Sequence, residues 1–359
     1  MSRFFVFSIT VLTSAFCLLP SAFQPALPGY EFSFPRDHGS HDDYKTEWWY
    51  YTGHLRTDKG HRYGFEVTFF RVGIVPPDGE SQSRWDLRNL ALAHFAITDV
   101  DRQRFRYAEK LNRASPFTAS AASDFLDVFN EGWRATTLQD GSWHIVAFNG
   151  GQAVDLVMRS RKPPAIHGEN GVSVKAEGVG YASHYYSMTR LEVTGTVNGQ
   201  RCRGTAWMDH EFGSSKLRED QQGWDWFSIQ FDNDSELMLY QIRQRDGKPD
   251  PASSGSLITS DGGVIHIRRD QMRIESIDRW HSSRSGATYP MGWRISVPTF
   301  GITVELQPVM RNQELITRSS TNVTYWEGAV DVTGSFGNNV VSGVGYVELT
   351  GYDRAFRAP

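Results

Sequence analysis

The sequence of 359 residues contains only two cysteines, Cys17 and Cys202. Only Cys202 remains if the N-terminal segment is removed, and one cysteine cannot form an internal disulfide. Structural zinc sites normally recruit cysteine as well. The fold must therefore be stabilised by its apolar core, for which 39% hydrophobic and 13% aromatic residues provide ample material.

An excess of positive charge is also missing, since 37 Lys and Arg stand against 41 Asp and Glu. This balance argues against a nucleic-acid partner, because binding to phosphates requires a basic surface. The sequence has no glycine-rich phosphate or dinucleotide fingerprint, which argues against a nucleotide cofactor. It also has no Gly-x-Ser-x-Gly segment between a strand and a helix, which disfavours a serine hydrolase of that type.

Long apolar runs are absent except at the N-terminus, where sixteen uncharged residues follow Arg3. The run ends in Pro20-Ser21-Ala22, and this order of features is typical of a cleaved signal peptide, here residues 1–22. We therefore expect a periplasmic or secreted protein without a stable membrane span after cleavage. An uncleaved N-terminal anchor is the alternative.

Helical periodicity is hard to find after residue 45, whereas alternation of apolar and polar residues is frequent, as in Tyr63–Phe70. Asn-Gly and Asp-Gly pairs, which suit tight hairpin turns, separate these runs. The pattern predicts an all-β fold of antiparallel barrels or sandwiches. Helix is expected to be minor, with Ser123–Phe129 as the best short candidate.

The chain also repeats itself, which indicates an internal duplication. The same number of residues separates Gly195 from Gly334 and Gly204 from Gly343, within similar strand-like segments. We predict two related β-domains, at residues 40–215 and 220–355.

The segment around Asp209-His210-Glu211 is rich in groups that transfer protons. In an extended chain, Asp209 and Glu211 point to one face and His210 to the other. Burial beside tryptophan raises the pKa of a carboxyl group and allows it to donate a proton near neutral pH. The alternative interpretation is a buried polar cluster that joins the two domains.

A second segment, residues 36–43, has residue types that bind metals, including His38 and His41. Its spacing matches no tight zinc pattern, so we predict no metal site and expect a solvated loop.

Four segments stand out as family motifs: Glu47–Leu55, His94–Asp99, Tyr185–Leu191 and Trp207–Gly213. Together they resemble the carotenoid 1,2-hydratase (hydroxyneurosporene synthase)/AttH family, and the resemblance covers about residues 40–352. It implies two lipocalin-like antiparallel β-barrels in tandem and the addition of water to an isoprenoid double bond without a cofactor. The segment reads Asp-His-Glu here, and the presence of Glu211 departs from the Asp-His-Asn form of the carotenoid hydratases.

These considerations predict an exported protein that binds a hydrophobic, isoprenoid or lipid-like small molecule. We expect acid–base chemistry such as hydration of a C=C bond. The alternatives are a non-catalytic carrier and a secreted hydrolase. The candidate catalytic residues are Asp209, His210, Glu211 and Asp225. The candidate ligand-binding residues are Trp49, Tyr51, Tyr186, Trp207, Trp224 and Trp226.

Overall fold

The computed structural model describes residues 23–77, 79, 86–169 and 171–356. The predicted signal peptide, residues 1–22, lies outside the described residues. Within the described ranges, no helix has both the length and the apolar character needed to cross a membrane.

The first sheet contains thirteen strands, all paired antiparallel. They are Thr46–Thr57 (β1), Arg62–Gly73 (β2), Asn89–Asp99 (β3), Arg104–Arg113 (β4), Ala119–Ala121 (β5), Asp127–Asn130 (β6), Trp133–Thr137 (β7), Trp143–Asn149 (β8), Gln152–Ser160 (β9), Ala165–Ile166 (β10), Val172–Val174 (β11), Ala182–Val197 (β12) and Gln200–Gly213 (β13). Their order is β4-β3-β2-β1-β13-β12-β9-β8-β7-β6-β5, and β10 and β11 also pair with β12. The Asn130 side chain on β6 bonds to Asn112 and to the Ala91 carbonyl at the opposite edge, so the sheet curls into a nearly closed barrel.

The second sheet contains ten strands. They are Gln221–Phe231 (β14), Glu236–Gln244 (β15), Ser254–Ile258 (β16), Val264–Arg268 (β17), Arg273–His281 (β18), Thr288–Val297 (β19), Ile302–Pro308 (β20), Glu314–Thr317 (β21), Val323–Phe336 (β22) and Asn339–Thr350 (β23). Their order is β17-β16-β15-β14-β23-β22-β20-β19-β18, with β21 paired to β22. The predicted all-β fold with two tandem barrel-like units is therefore confirmed.

The two sheets share one central arrangement of strands. The order β3-β2-β1-β13-β12-β9 in the first sheet matches β16-β15-β14-β23-β22-β20 in the second. Gly204 and Gly343 occupy equivalent places. A Cβ atom at Gly204 would lie 1.9 Å from the His54 carbonyl oxygen, and one at Gly343 would lie 2.4 Å from the Gln230 carbonyl oxygen. The repeated glycines are thus required by close contact with the neighbouring strand.

The short helix expected at Ser123–Phe129 is wrong. The chain bends there, and β6 begins at Asp127 and pairs with β7. Val128 and Asn130 are buried in the barrel, so the strand period of two prevails over the local preference for a turn of helix. Helical geometry in the described chain is confined to three short 3₁₀ turns: Arg36–His38, Arg269–Gln271 and Pro298–Phe300.

Each barrel buries its own apolar core, and the barrels pack against each other through their outer faces. The Tyr50 hydroxyl donates to Glu327 across this interface at 2.7 Å, and the Thr98 hydroxyl donates to Gln313 at 2.7 Å. A Cβ atom at Gly64 would lie only 2.8 Å from that of Ala329, so the sheets are in direct contact at this point. The polar residues of the interface lie around this contact.

Candidate functional site between the barrels

Strand β13 divides the candidate catalytic segment between two environments. Because side chains alternate along a strand, Asp209 and Glu211 face the second barrel, whereas His210 faces the interior of the first. Trp207 shares the face of Asp209, and its indole nitrogen donates to Asp209 Oδ1 at 2.6 Å. The alternation predicted for this segment is observed.

A cavity of about 190 Å³ lies between the two barrels. The first barrel supplies acidic and aromatic groups to its wall, and the second barrel supplies aromatic groups and two further glutamates. The principal lining residues are Tyr50, His94, Lys175, Tyr185, Asp209, Glu211, Trp224, Trp226, Tyr240, Tyr325, Glu327 and Glu348. We refer to this space as the inter-barrel cavity.

Asp209 is the buried acid of the cavity wall. Burial raises the pKa of its carboxyl group to about 7, and the neighbouring charge of Glu211 adds to the effect. Hydrogen bonds from Ser187, Trp207 and Tyr185 favour the ionised form and oppose the rise. Asp209 therefore exists in both protonated and ionised forms near neutral pH, as a group that exchanges protons with a substrate requires.

Glu211 lies two residues further along the same face and is paired with a cation. Its Oε1 atom lies 3.0 Å from the Lys175 ammonium group and accepts a hydrogen bond from Ser183. The ammonium group also lies 4.4 Å from the centre of the Tyr240 ring. Burial lowers the pKa of Lys175, but Glu211 and Tyr240 outweigh this effect and raise it. The pair thus places a cation beside the acids on this wall of the cavity.

Two glutamates of the second barrel line the same cavity as Asp209. Glu327 on β22 and Glu348 on β23 lie directly opposite each other in the strand register. Burial and nearby acids raise the pKa of Glu348 to about 8, and burial together with Glu348 and Glu66 raises that of Glu327 well above its ordinary value. Two carboxyl groups this close do not readily ionise together.

Two of the predicted tryptophans contribute to the cavity wall. Trp224 and Trp226 line the cavity, and the Trp226 indole nitrogen donates to the Tyr185 hydroxyl at 3.1 Å. Trp207 packs edge-on against Trp226 beneath this wall. The three residues therefore belong to one aromatic cluster at the interface.

His210 belongs to a different polar cluster at one end of the first barrel, which we call the barrel-end cluster: Asp37, His41, Glu47, Arg71 and His210. Glu47 Oε1 lies 2.7 Å from His41 Nδ1 and 2.9 Å from His210 Nε2, and Arg71 donates to its Oε2 at 2.9 Å. Burial alone would raise the pKa of Glu47, but Arg71 and His41 outweigh it and hold the pKa well below its ordinary value.

The barrel-end cluster overturns the expectation of a solvated loop at residues 36–43. Asp37 and His41 are almost fully buried, because His41 Nε2 lies 3.2 Å from Asp37 Oδ1 and its ring stacks on Phe212. His41, Glu47 and His210 also form the one grouping in the described chain whose ligand atoms converge closely enough for a metal ion. These atoms are already paired with one another and with Arg71, so the cluster is complete without a metal.

The other predicted residues lie inside the barrels and away from the cavity. Trp49 stacks on His210, and the Tyr186 hydroxyl lies 3.0 Å from His210 Nδ1. Tyr51 is fully buried in the first barrel's core. Asp225 points into the interior of the second barrel, where Arg243 donates to it at 3.0 Å and Tyr352 at 2.9 Å. The structure therefore does not bring Asp225 or His210 together with Asp209.

Comparison with known families gives a clear result for the chain as a whole. The AttH-like family model matches residues 25–352. The chain belongs to the AttH-like family. The resemblance found in its sequence motifs is thereby confirmed, and the matched residues include both barrels.

Solved structures with the same fold support this assignment. An AttH-type protein from Nitrosomonas europaea is 32% identical, with a TM-score of 0.82 over 92% of this chain and 99% of that one. Kievitone hydratase from Nectria haematococca has a TM-score of 0.70 at 12% identity, over 93% and 98% of the two chains. CghA, solved with Sch210972, has a TM-score of 0.50 at 13% identity, over 86% and 89%. A search of curated proteins gives no match.

The sequence analysis missed three charged residues that line the inter-barrel cavity, namely Lys175, Glu327 and Glu348. For Glu348 the signal was present in the duplication. Asp209 follows Gly204 by as many residues as Glu348 follows Gly343, so the repeat relates the two acids. The structure places them on equivalent strands, β13 and β23, which meet across the cavity.

Proposed function

We propose that this protein is an exported enzyme that adds water to a C=C bond of a hydrophobic small molecule. The substrate class is isoprenoid or lipid-like, and the reaction takes place in the inter-barrel cavity without a redox cofactor. Export is inferred from residues 1–22, which have the features of a signal peptide. The hydratase-type lipocalin fold supports the proposal, and the chemistry rests on the residues of the cavity.

Asp209 is the observation that carries this proposal. Its burial and its pKa of about 7 make it a proton donor that is half charged near neutral pH. It lies in a cavity whose wall includes the aromatic side chains of Trp224 and Trp226. Hydration of an unactivated alkene requires this combination, because protonation of carbon creates a cation that aromatic faces stabilise.

In the proposed reaction, Asp209 transfers its proton to one alkene carbon and the neighbouring carbon becomes cationic. A water molecule adds its oxygen to that carbon, and the oxygen then loses a proton to the Glu211 carboxylate. Lys175, 3.0 Å from Glu211, stabilises this carboxylate before the proton arrives. One water is consumed, no electrons are exchanged with a cofactor, and proton return to Asp209 completes the cycle.

The alternative functions predict different uses of the same groups. A non-catalytic carrier is favoured by the aromatic wall, since such walls hold apolar ligands without chemistry. A hydrolase that forms a covalent intermediate requires a nucleophile at the cavity. Ser187 lies 2.6 Å from His167 Nε2, but it is fully buried and belongs to the layer behind Asp209.

Mass spectrometry of the ligand extracted from the natively purified protein tests the proposal. Incubation in water labelled with ¹⁸O should place the label in a product that is heavier than the ligand by one water. A single ligand that stays unlabelled and unchanged at stoichiometric occupancy would identify a carrier instead. Product in which label enters a cleaved ester or amide would indicate a hydrolase.

A further inference from the structure

Among the described residues, neither Glu327 nor Glu348 forms an ion pair, and this bears on the kind of ligand that the two acids suit. The nearby charge of Lys175 only partly opposes the rise in the pKa of Glu348. In the described chain, Lys175 is paired with Glu211 and Arg71 with Glu47. Glu327 instead accepts a hydrogen bond from the neutral Tyr50 hydroxyl, at 2.7 Å. Buried carboxyl groups without a cation are costly to ionise, so a positive ligand group would be strongly favoured beside them.

Two polar groups of the described chain, next to Glu327, are also incompletely hydrogen-bonded. Within the described residues, Glu66 Oε2 and the Tyr346 hydroxyl are buried and have no hydrogen-bond partner. Both side chains are electrostatically coupled to Glu327, as the pKa rises of Tyr346 and Glu327 show. Neither group lines the cavity itself, and among the described residues no ion pair offsets the acids beside Glu327.

Lys175 shows how the same cavity accommodates an ammonium group. Its Nζ atom lies 3.0 Å from Glu211, 3.1 Å from Ser173 Oγ and 4.4 Å from the centre of the Tyr240 ring. One carboxylate, one hydroxyl and one aromatic face thus surround this cation. Around Glu327 and Glu348, Tyr50 likewise offers a hydroxyl and Trp226 an aromatic ring.

We infer that the inter-barrel cavity binds an amphipathic small molecule through a basic nitrogen, which is held by Glu327 and Glu348 while the apolar body lies along Trp224 and Trp226. This inference rests on the proposed function, because it assigns the substrate class of the same cavity. The ligand is then a lipid-like or isoprenoid amine rather than a pure hydrocarbon.

Binding of such a cation should release a proton. The raised pKa of Glu348, about 8, keeps its carboxyl group mostly protonated near neutral pH, and an ammonium group beside it favours the ionised form. The carboxylic proton then passes to the buffer. The other titratable groups that face the pair are Glu66, Asp209, Glu211, Lys175, Tyr50, Tyr325 and Tyr346.

Isothermal titration calorimetry of the purified protein with 1-octylammonium and with 1-octanol tests the inference. The two probes share an alkyl chain and differ in the charged head. We expect octylammonium to bind about tenfold more tightly at neutral pH, with a heat that depends on the buffer because a proton is released. Glu327→Gln and Glu348→Gln should each remove most of this preference.

Two controls separate the outcomes. Glu305→Gln alters an exposed glutamate that is paired with Arg294 on the second barrel, and it should leave the preference unchanged. Glu192→Gln, which alters an exposed glutamate beside Arg161 on the first barrel, should also leave it unchanged. Equal binding of both probes, or tighter binding of octanol, would overturn the inference while leaving a hydrophobic cavity intact. If neither probe binds, both this inference and the proposed function lose their site.

Discussion

The two faces of strand β13 present neighbouring acid–base groups in opposite states. On one face, the barrel-end cluster pairs Glu47 with Arg71 and His41, and the pKa of Glu47 is held well below its ordinary value. On the other face, no cation of the described chain contacts Asp209 directly, and burial raises the pKa of Asp209 to about 7. Both acids are buried, so the pairing decides which of them is a fixed charge and which exchanges protons.

This contrast separates structural from chemical roles within one short segment. The barrel-end cluster satisfies its own charges and joins residues 37–47 to the wall of the first barrel. The cavity side leaves acidic groups exposed to bound molecules. Asp209 and His210 are adjacent in sequence, yet only Asp209 is placed to react with a ligand.

The strongest test of this contrast is Asp209→Asn. The amide has nearly the same shape but cannot donate an acidic proton, so we expect turnover to fall about a thousandfold. Ligand affinity and the folded structure should remain close to wild type. Mass spectrometry of the extracted ligand measures the effect, and a variant that still forms hydrated product at the normal rate would remove Asp209 from the chemistry.

The matching change on the other face is Glu47→Gln. It leaves Arg71 and His41 without their buried counter-charge, and we expect a loss of about 3 kcal/mol in the free energy of unfolding. Urea denaturation measures this loss. Glu192→Gln, at an exposed position, is the control and should change stability by less than about 0.5 kcal/mol. Wild-type stability in Glu47→Gln would mean that the cluster does not support the barrel.

The pH dependence of the free energy of unfolding tests whether Asp209, on the cavity face of β13, exchanges a proton near neutral pH. The folded pKa of Asp209 is raised from 3.8 to about 7, so its protonated form stabilises the fold at low pH and this contribution is lost as the pH rises towards 7. The Asp209→Asn variant lacks this titrating group and therefore does not lose stability in this way as the pH rises. We expect the variant to gain on the order of 2 kcal/mol relative to wild type between pH 4 and about pH 8.

Paired urea titrations across this range measure that difference. A constant difference between the two proteins would show that Asp209 titrates in the folded state as it does in the unfolded chain. The comparison with wild type cancels the titration of other groups, such as His38, whose pKa is lowered to about 3 by burial.

The sequence predicted the parts of this arrangement that depend on local periodicity. Alternation along an extended strand was sufficient to place Asp209 and His210 on opposite faces, because side chains in strands repeat every two residues. The repeated Gly204 and Gly343 similarly indicated equivalent strands. Lys175 could not be predicted, because it follows the short strand β11 and reaches Glu211 only through the tertiary fold.

The pairing of Glu327 with Glu348 also required the structure. The two residues are far apart in sequence, and their contact depends on the register between β22 and β23, which a change of one residue would alter. The buried state of residues 37–41 was missed for a related reason. Their charges suggested solvation, whereas Glu47, Arg71 and His41 compensate one another inside the barrel.

Asp225 provides the smallest and most selective test. Sequence proximity to Trp224 and Trp226 made it a candidate acid, but it faces the second barrel and is bonded to Arg243 and Tyr352. Burial raises its pKa, and Arg243 opposes that rise. Asp225→Asn should therefore cost about 1–2 kcal/mol of stability and leave turnover within about twofold of wild type. A loss of turnover comparable to that of Asp209→Asn, at unchanged stability, would place the reacting acid in the second barrel and reverse the assignment made from the cavity.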